Sequence, residues 1–148
     1  MISGMRQSEI DSVMEIWLEG NLQAHSFIDG QYFVRNIGPV RNAIRDAQVF
    51  VYEKDGQIAG FAGLVQDEVA GLFVRQSERS RGIGKALLHT ARQHGGSWLR
   101  VYEKNVRAVQ FYLREGFCVA QRGTDPATGE AELLLCLPEG IDRRMAGG

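Results

Sequence analysis

The sequence feature that most constrains the fold is an apolar run that leads directly into a glycine-rich helix start. Residues 68–75 contain the core VAGLFV, which is typical of a buried strand, and Gly71 within it suggests a bulge. Residues 79–88 have the sequence RSRGIGKALL, and apolar side chains then recur at helical spacing until Gly95 and Gly96 end the helix. A buried strand followed at once by a helix favours an α/β architecture.

The rest of the chain alternates between helical and strand-like segments. We predict a helix over residues 9–19 and two short helices that are separated near Gly38 and Pro39. Asp55 and Gly56 form a favoured hairpin turn. The other predicted elements are strands at 48–54, 57–65, 68–75, 98–102, 117–122 and 132–137, and a helix from about Asn105 to Gly116.

Composition places these elements in one ordinary domain. The chain has 148 residues, 44% of them hydrophobic, which is enough for one core and few for two. We therefore predict a single domain over residues 1–148 with an α/β fold, an α+β mixed sheet of about six to seven strands and about four to five helices.

Charge and hydropathy limit the partners. Charged residues make up 24% of the chain and nearly cancel to a formal net charge of −1, which disfavours a broad basic face for nucleic acid or membrane. No apolar run approaches the ~20 residues of a membrane span, and the first ten residues lack the layout of a signal peptide. We expect a cytoplasmic protein, as a monomer or homodimer.

The chain contains two cysteines, Cys118 and Cys136, in separate apolar segments. Neither lies near a histidine or another cysteine at metal-ligand spacing, and two thiols make no disulfide framework. We expect two reduced core residues and no metal site.

The glycine-rich segment has the features of a phosphate site. Gly82 and Gly84 allow successive backbone amides to turn toward one point. The first amides of the following helix have no acceptor within the helix, so they stabilise an anion such as a diphosphate. The neighbouring Arg79, Arg81 and Lys85 add electrostatic attraction for the same anion.

Two other phosphate-binding loops fit this segment poorly. A Walker loop needs glycine and then serine or threonine where this chain has Arg79 and Ala86. A dinucleotide-binding fingerprint needs a third glycine where Leu87 stands. Kinase-like, GTPase and dinucleotide chemistry are therefore disfavoured.

Two segments of the chain resemble the GNAT superfamily of N-acetyltransferases. The family pattern of arginine or glutamine, two residues, glycine, one residue, and glycine or alanine is met by Arg79, Gly82 and Gly84. A second family signature is matched by Leu99, Val101, Asn105, Ala108, Phe111, Tyr112, Gly116 and Phe117. The chain also resembles small bacterial acetyltransferases of the YiaC type, at IWLEG (16–20), HSFI (25–28), Tyr32 and VYEKN (101–105).

The resemblance implies a GNAT-like fold and acetyl-coenzyme A (acetyl-CoA) as co-substrate, with no metal. In that fold the strands at residues 69–75 and 98–102 splay apart as a central pair and hold the pantetheine arm between them. The implied binding residues are Leu72, Phe73, Val74, Arg79, Arg81, Gly82, Ile83, Gly84, Lys85, Asn105, Ala108 and Tyr112.

The resemblance also implies the catalytic groups. Tyr112 matches the tyrosine that protonates the coenzyme A (CoA) sulfur, and it lies two helical turns from Asn105. A lysine amine has an ordinary pKa of about 10.4, so a proton must leave before or during attack. Glu68 stands where histone-type members carry a catalytic glutamate, and His25 is the alternative base. The implied acceptor-binding residues are Trp17, His25, Phe27 and Tyr32.

The predicted function is transfer of an acetyl group from acetyl-CoA to a primary amine by direct attack in a ternary complex. Likeness to the YiaC type favours a peptidyl lysine as acceptor, and a small amine such as a polyamine or a drug is an alternative. A second alternative is a CoA-binding regulatory module without turnover. The expected partners are acetyl-CoA and an amine acceptor, with no nucleic acid and no membrane.

Overall fold

The computed structural model describes residues 1–138, which group into two compact units. The first unit covers Met1–Gly96, and the second begins at Ser97. Within the described residues there are seven strands and five helices, which confirms the predicted α/β class and the predicted numbers of strands and helices. The single domain over residues 1–148 stays a prediction.

The first unit is an antiparallel sheet with four helices. Its strands are β1 (Ile2–Gly4), β2 (Gln48–Lys54), β3 (Gln57–Val65) and β4 (Glu68–Val74), each paired antiparallel with the next. Its helices are α1 (Ile10–Ala24), α2 (Gly30–Arg35), α3 (Ile37–Asp46) and α4 (Ile83–Gln93). In the part of the chain that the structure describes, no helix is long and apolar enough to cross a membrane.

Strand β3 forms the centre of the first unit. All of residues 58–64 are buried, as expected for a strand that is covered on both faces. Val13 of α1 and Phe61 of β3 share one buried cluster, and α4 also contacts β3. A Cβ at Gly60 would lie 2.8 Å from the Phe73 carbonyl oxygen of β4 and 3.2 Å from the side chain of Leu87, so glycine permits close packing against both β4 and α4. Full burial of a side chain such as Leu87 stabilises the fold by about 1.5–3 kcal/mol.

The second unit contains a three-stranded antiparallel sheet and one helix. Its elements are β5 (Trp98–Tyr102), α5 (Val106–Arg114), β6 (Cys118–Thr124) and β7 (Ala131–Cys136). Strand β7 lies between β5 and β6 and pairs with both. Cys136 is buried, as predicted, but Cys118 is exposed because every residue of the edge strand β6 is exposed. The predicted core position of Cys118 is therefore wrong.

Helix α1 extends beyond its predicted end at residue 19 and reaches Ala24. Gly20 lies inside the helix and faces β4, where its Cβ would come within 2.5 Å of the Phe73 ring. The glycine therefore serves close packing between two elements and does not end the helix. This role depends on a contact that is distant in sequence.

Helices α2 and α3 are separated at Asn36, and the predicted break near Gly38 and Pro39 is wrong. Pro39 lies in the first turn of α3, where a backbone N–H has no helical acceptor in any case. Proline is therefore compatible with this position and does not interrupt the helix.

Strand β4 contains a bulge beside Gly71. Gly63 of β3 lies opposite Gly71, and Leu64 lies opposite Val69, so Ala70 is an extra residue in β4. The predicted bulge is confirmed one residue away from Gly71. The predicted splay of β4 and β5 concerns strands of two units and stays a prediction.

Candidate active site

The connection between β4 and α4 has the backbone geometry of the predicted phosphate site. A 3₁₀ turn at Gln76–Glu78 is followed by the extended residue Arg79, and α4 begins directly after Gly82. Ser80 and Gly82 have φ angles of +66° and +79°, in the left-handed region. Glycine adopts this region readily, whereas it is uncommon for serine.

The predicted anion site coincides with a run of available backbone amides in this connection. Among residues 1–138, the six N–H groups of residues 80–85 find no acceptor. Three of them belong to the first turn of α4, at the positive end of the helix dipole. A diphosphate fits such a run of donors. The N–H of Arg79 instead donates to the Gln76 carbonyl at 3.3 Å, so the run of available amides begins at Ser80.

The cations around the connection differ in what they contact. Lys85 is exposed and forms no ion pair within the described residues. Arg81 lies 3.8 Å from Oε2 of Glu78, which also accepts a 2.8 Å hydrogen bond from Lys54. That hydrogen bond holds the pKa of the Glu78 carboxyl below its ordinary value. Lys54 thus neutralises a carboxylate next to the anion site, a role that no sequence pattern indicated.

The start of the connection is attached to α1 and β3. The guanidinium of Arg75 pairs with Glu15 at 2.9 Å and donates from Nε to the Ile58 carbonyl at 2.8 Å. The side-chain amide of Gln23 donates to Gln76 at 2.7 Å. These contacts hold the connection at its start, and sequence analysis missed them because their partners are far apart in the chain.

The predicted pantetheine-binding residues Leu72, Phe73 and Val74 are all half-buried in β4. The Arg75 N–H donates to the Ala59 carbonyl at 2.8 Å, so these two residues are a hydrogen-bonded pair of the β3–β4 ladder. Hydrogen-bonded and non-hydrogen-bonded pairs alternate along an antiparallel ladder. The peptide groups of Phe73 therefore face β3, and those of Leu72 and Val74 face the opposite edge of β4.

The four predicted acceptor-binding residues lie in one aromatic cluster of α1 and α2. The buried ring of Phe33 lies 6.3 Å from Trp17, 6.0 Å from His25 and 5.2 Å from Tyr32, measured between ring centroids. The Phe27 ring lies 5.7 Å from that of His25. Sequence analysis found these four residues but missed Phe33, which the apolar spacing of α2 could have indicated.

The imidazole of His25 is buried and neutral. The Asn21 side chain donates from Nδ2 to the Trp17 carbonyl at 2.9 Å, so its oxygen accepts from His25 Nδ1 at 2.8 Å. Burial lowers the pKa of His25 to about 4. An imidazole with so low a pKa is a weak base at neutral pH, which disfavours His25 as the alternative base.

The burial of His25 predicts that the protein loses stability in mild acid. The pKa is about 4 in the folded protein and about 6.5 when unfolded, so between these values the unfolded chain binds more protons. From about pH 7.5 to about pH 5 we expect the free energy of unfolding to fall by about 1–2 kcal/mol, allowing for solvent screening. Urea denaturation at both pH values measures this. The His25→Gln variant should lack this part of the loss, and an equal loss in the variant would contradict the prediction.

Glu68 is half-buried at the first position of β4. Its Cα partner is Val65, across the turn formed by Gln66 and Asp67, where Gln66 has a φ of +55°. The turn fixes the backbone of Glu68 at the end of the hairpin. Its role as the base stays a prediction.

In the second unit, Asn105 begins α5 as predicted. Its side-chain oxygen accepts a 3.3 Å hydrogen bond from the backbone N–H of Ala108, which caps the helix. Ala108 is half-buried, and Tyr112 lies one turn further along α5. The cap therefore fixes the start of the helix that carries Tyr112.

Tyr112 has a buried ring and an available hydroxyl. The side chain is 8% exposed, and its ring packs edge-on against Phe111 and Phe117 at 5.2 and 5.8 Å. The hydroxyl makes no hydrogen bond within the described residues. Within the same residues, every fully buried side-chain oxygen or nitrogen has a hydrogen-bond partner, so this unbonded hydroxyl retains access to solvent. Burial raises the pKa of Tyr112 well above its ordinary value, so the hydroxyl carries its proton at neutral pH.

The candidate residues divide between the two units. The anion site, the β4 residues, Glu68 and the aromatic cluster belong to Met1–Gly96, whereas Asn105, Ala108 and Tyr112 belong to the unit that begins at Ser97. Within residues 1–138, no group of three or more His, Cys, Asp or Glu side chains is arranged to hold a metal ion.

The sequence of the chain matches that of known acetyltransferases. Residues 45–119 match the family described as acetyltransferase (GNAT) domain. The chain is 38% identical over 120 residues to peptidyl-lysine N-acetyltransferase YiaC of Escherichia coli K12, with 79% of this chain and 82% of that protein covered. It is 29% identical over 135 residues to peptidyl-lysine N-acetyltransferase YjaB of the same strain, with 89% and 91% covered.

Solved structures share the fold. The solution structure of apo YjaB from Escherichia coli has a TM-score of 0.82 at 26% identity, with 93% of this chain and 97% of that chain covered. YncA from Salmonella typhimurium, solved with its cofactor acetyl-CoA, has a TM-score of 0.66 at 17% identity, with 93% and 92% covered. The fold is thus that of the YjaB structure, the GNAT-like fold that the sequence resemblance implied. The chain belongs to the GNAT family of acetyltransferases.

Proposed function

We propose that the protein is an acetyl-CoA-dependent N-acetyltransferase that acts on the side-chain amine of lysine in peptides or proteins. The observation that carries the proposal is the run of six backbone amides at residues 80–85. These N–H groups have no acceptor within the described residues, so they can donate hydrogen bonds to a diphosphate. YiaC and YjaB are both named peptidyl-lysine N-acetyltransferases, and YncA binds acetyl-CoA, which supports the same assignment.

The first unit would hold the co-substrate by its backbone. Residues 80–85 donate to the diphosphate, and the exposed ammonium of Lys85 adds a charge-assisted contact. The peptide groups of Val74 and the carbonyl of Leu72 face away from β3, where they are suited to pair with the amides of a pantetheine arm by strand addition. When bound, acetyl-CoA would supply an acetyl thioester whose carbonyl carbon accepts the amine and whose C–S bond would break afterwards, releasing CoA.

The acceptor amine would be received by aromatic side chains. Trp17, Tyr32 and the neutral His25 pack around the Phe33 ring, Phe27 packs against His25, and these aromatic side chains suit the aliphatic stem of a lysine. Glu68 removes the proton from the ammonium, directly or through water, so that the neutral amine attacks.

Two groups would stabilise the products of that attack. The N–H of Leu72 stabilises the oxyanion, because it points away from β3, whereas the N–H of Phe73 points toward β3. Tyr112 donates its proton to the departing sulfur, for which a buried and protonated phenol with an available hydroxyl is suited.

We further propose a cytoplasmic enzyme, a monomer or homodimer, without a nucleic-acid partner.

An acceptor panel tests the proposal. The protein is incubated with acetyl-CoA and a panel of acceptors: N-terminally blocked peptides that differ only in one residue, lysine or arginine, the same peptides unblocked, and polyamines. CoA release and acceptor mass are followed. We expect acetylation of the lysine peptides alone. Turnover confined to polyamines or to unblocked peptide N-termini would contradict lysine as the acceptor. Binding of CoA without turnover of any amine would contradict the enzymatic function.

A further inference from the structure

The two cysteines of the chain lie directly opposite each other on neighbouring strands. In the β6–β7 pair, Cys118 is the Cα partner of Cys136, and the sequence contains no third cysteine. Both side chains are thiols. The exposed edge strand β6 and the partly buried strand β7 thus each carry one cysteine at the same register position.

This register brings the two side chains within bridging reach. Opposite residues of an antiparallel pair project to the same face, with Cα atoms about 4.5–5.5 Å apart. A disulfide spans Cα separations of about 4.4–6.8 Å. We propose that Cys118 and Cys136 form a reversible intramolecular disulfide by exchange with a low-molecular-weight disulfide such as oxidised glutathione.

The different exposure of the two thiols assigns their order of reaction. The thiolate of the exposed Cys118 attacks one sulfur of glutathione disulfide, so that a mixed disulfide forms and one glutathione leaves as thiolate. The thiolate of the buried Cys136 then attacks the Cys118 sulfur and releases the second glutathione. The protein gives up two electrons and two protons, and glutathione disulfide becomes two molecules of glutathione.

The bond is expected to be easily reduced. Opposite Cβ atoms in antiparallel pairs lie about 4.5–5.5 Å apart, whereas a relaxed disulfide needs about 3.5–4.5 Å, so the strands must approach and the bond is strained. Strained disulfides have more oxidising potentials and exchange readily. Phe117 precedes Cys118 and packs 5.8 Å from the Tyr112 ring, so oxidation occurs beside the proposed acid. Disulfide formation itself does not depend on the proposed function.

Thiol counting and intact mass test the proposal on the full chain. The reduced protein is treated with oxidised glutathione, freed of the reagent, and unfolded for thiol titration. We expect a monomer that is lighter by two hydrogen atoms and has no reactive thiol, with both thiols restored by dithiothreitol. Two remaining thiols, a stable glutathione adduct, or a disulfide-linked dimer as the main product would each overturn the proposal.

Two variants test the dependence on register. After treatment with oxidised glutathione, the Cys118→Ser variant should still have one thiol and an unchanged mass. Cys118→Ala combined with Val119→Cys moves the cysteine one position along β6, opposite Leu135, where its side chain projects to the other face. This double variant should not form the disulfide under the same treatment. Equal disulfide formation in the double variant would overturn the cross-strand geometry.

Discussion

Replacement of Tyr112 by phenylalanine is expected to lower kcat by about 10²–10³-fold and to leave the Kd for CoA nearly unchanged. The buried ring keeps its packing against Phe111 and Phe117, because only the hydroxyl is removed. The departing sulfur then leaves without a proton donor. Initial rates with acetyl-CoA and a lysine peptide, together with calorimetric titration of CoA, measure the two effects separately.

A second tyrosine in the same unit provides the matched control. The hydroxyl of Tyr102 donates to the Asp125 carboxylate at 2.5 Å, so it is already engaged within the protein. Tyr102→Phe should lower kcat by less than about 3-fold, far less than the loss expected for a general acid. Equal losses of kcat in the two variants, or a rise in KM at unchanged kcat for Tyr112→Phe, would contradict the role of Tyr112 as acid.

Sequence analysis succeeded where a structural feature depends on neighbouring residues. Asp55 and Gly56 adopt φ angles of +54° and +78°, as expected for their hairpin turn. Asn105 caps α5, and Gly116 follows its end with a φ of +99°. Turns and helix ends are determined by residues that are adjacent in the chain, and a single sequence displays these residues directly.

Sequence analysis failed where a feature depends on contacts between distant segments. Gly20 was predicted to follow a helix end, but the helix continues to Ala24, and the glycine instead leaves room for the Phe73 ring. The ion pair of Lys54 with Glu78 and the opposition of Cys118 and Cys136 likewise follow from strand register and connection geometry. No local pattern specifies such pairs.

The candidate site was predicted in the same uneven way. The glycine-rich motif predicted available amides at a helix start, which the structure has at residues 80–85, since a helix start and two glycines are local features. The acceptor side was predicted only through resemblance, and both binding roles stay predictions. Its electrostatics could not be predicted, because the pKa of His25 is lowered by burial that only the folded structure provides.

Replacement of Gly82 by valine is expected to weaken CoA binding by at least about 100-fold, a loss of about 2.7 kcal/mol. Gly82 has a φ of +79°, and no atom lies within 4 Å of the position that a Cβ would occupy. The effect of the substitution is therefore one of backbone conformation and not of collision. An L-residue in the left-handed region costs about 1–2 kcal/mol, and valine is among the least tolerant, so the backbone should rotate away and redirect the amides on either side.

Gly129 offers a matched control, because it also has a positive φ angle but lies outside residues 80–85. It lies outside the regular elements, between β6 and β7, with a φ of +76°, and a Cβ at this position would likewise have no atom within 4 Å. Gly129→Val should therefore lose a similar amount of folding stability, about 1–2 kcal/mol, which urea denaturation measures. Its Kd for CoA should stay at the wild-type value, because none of the amides at residues 80–85 is disturbed. If both variants lose stability and Gly82→Val still binds CoA as the wild type does, the diphosphate is not held by these amides.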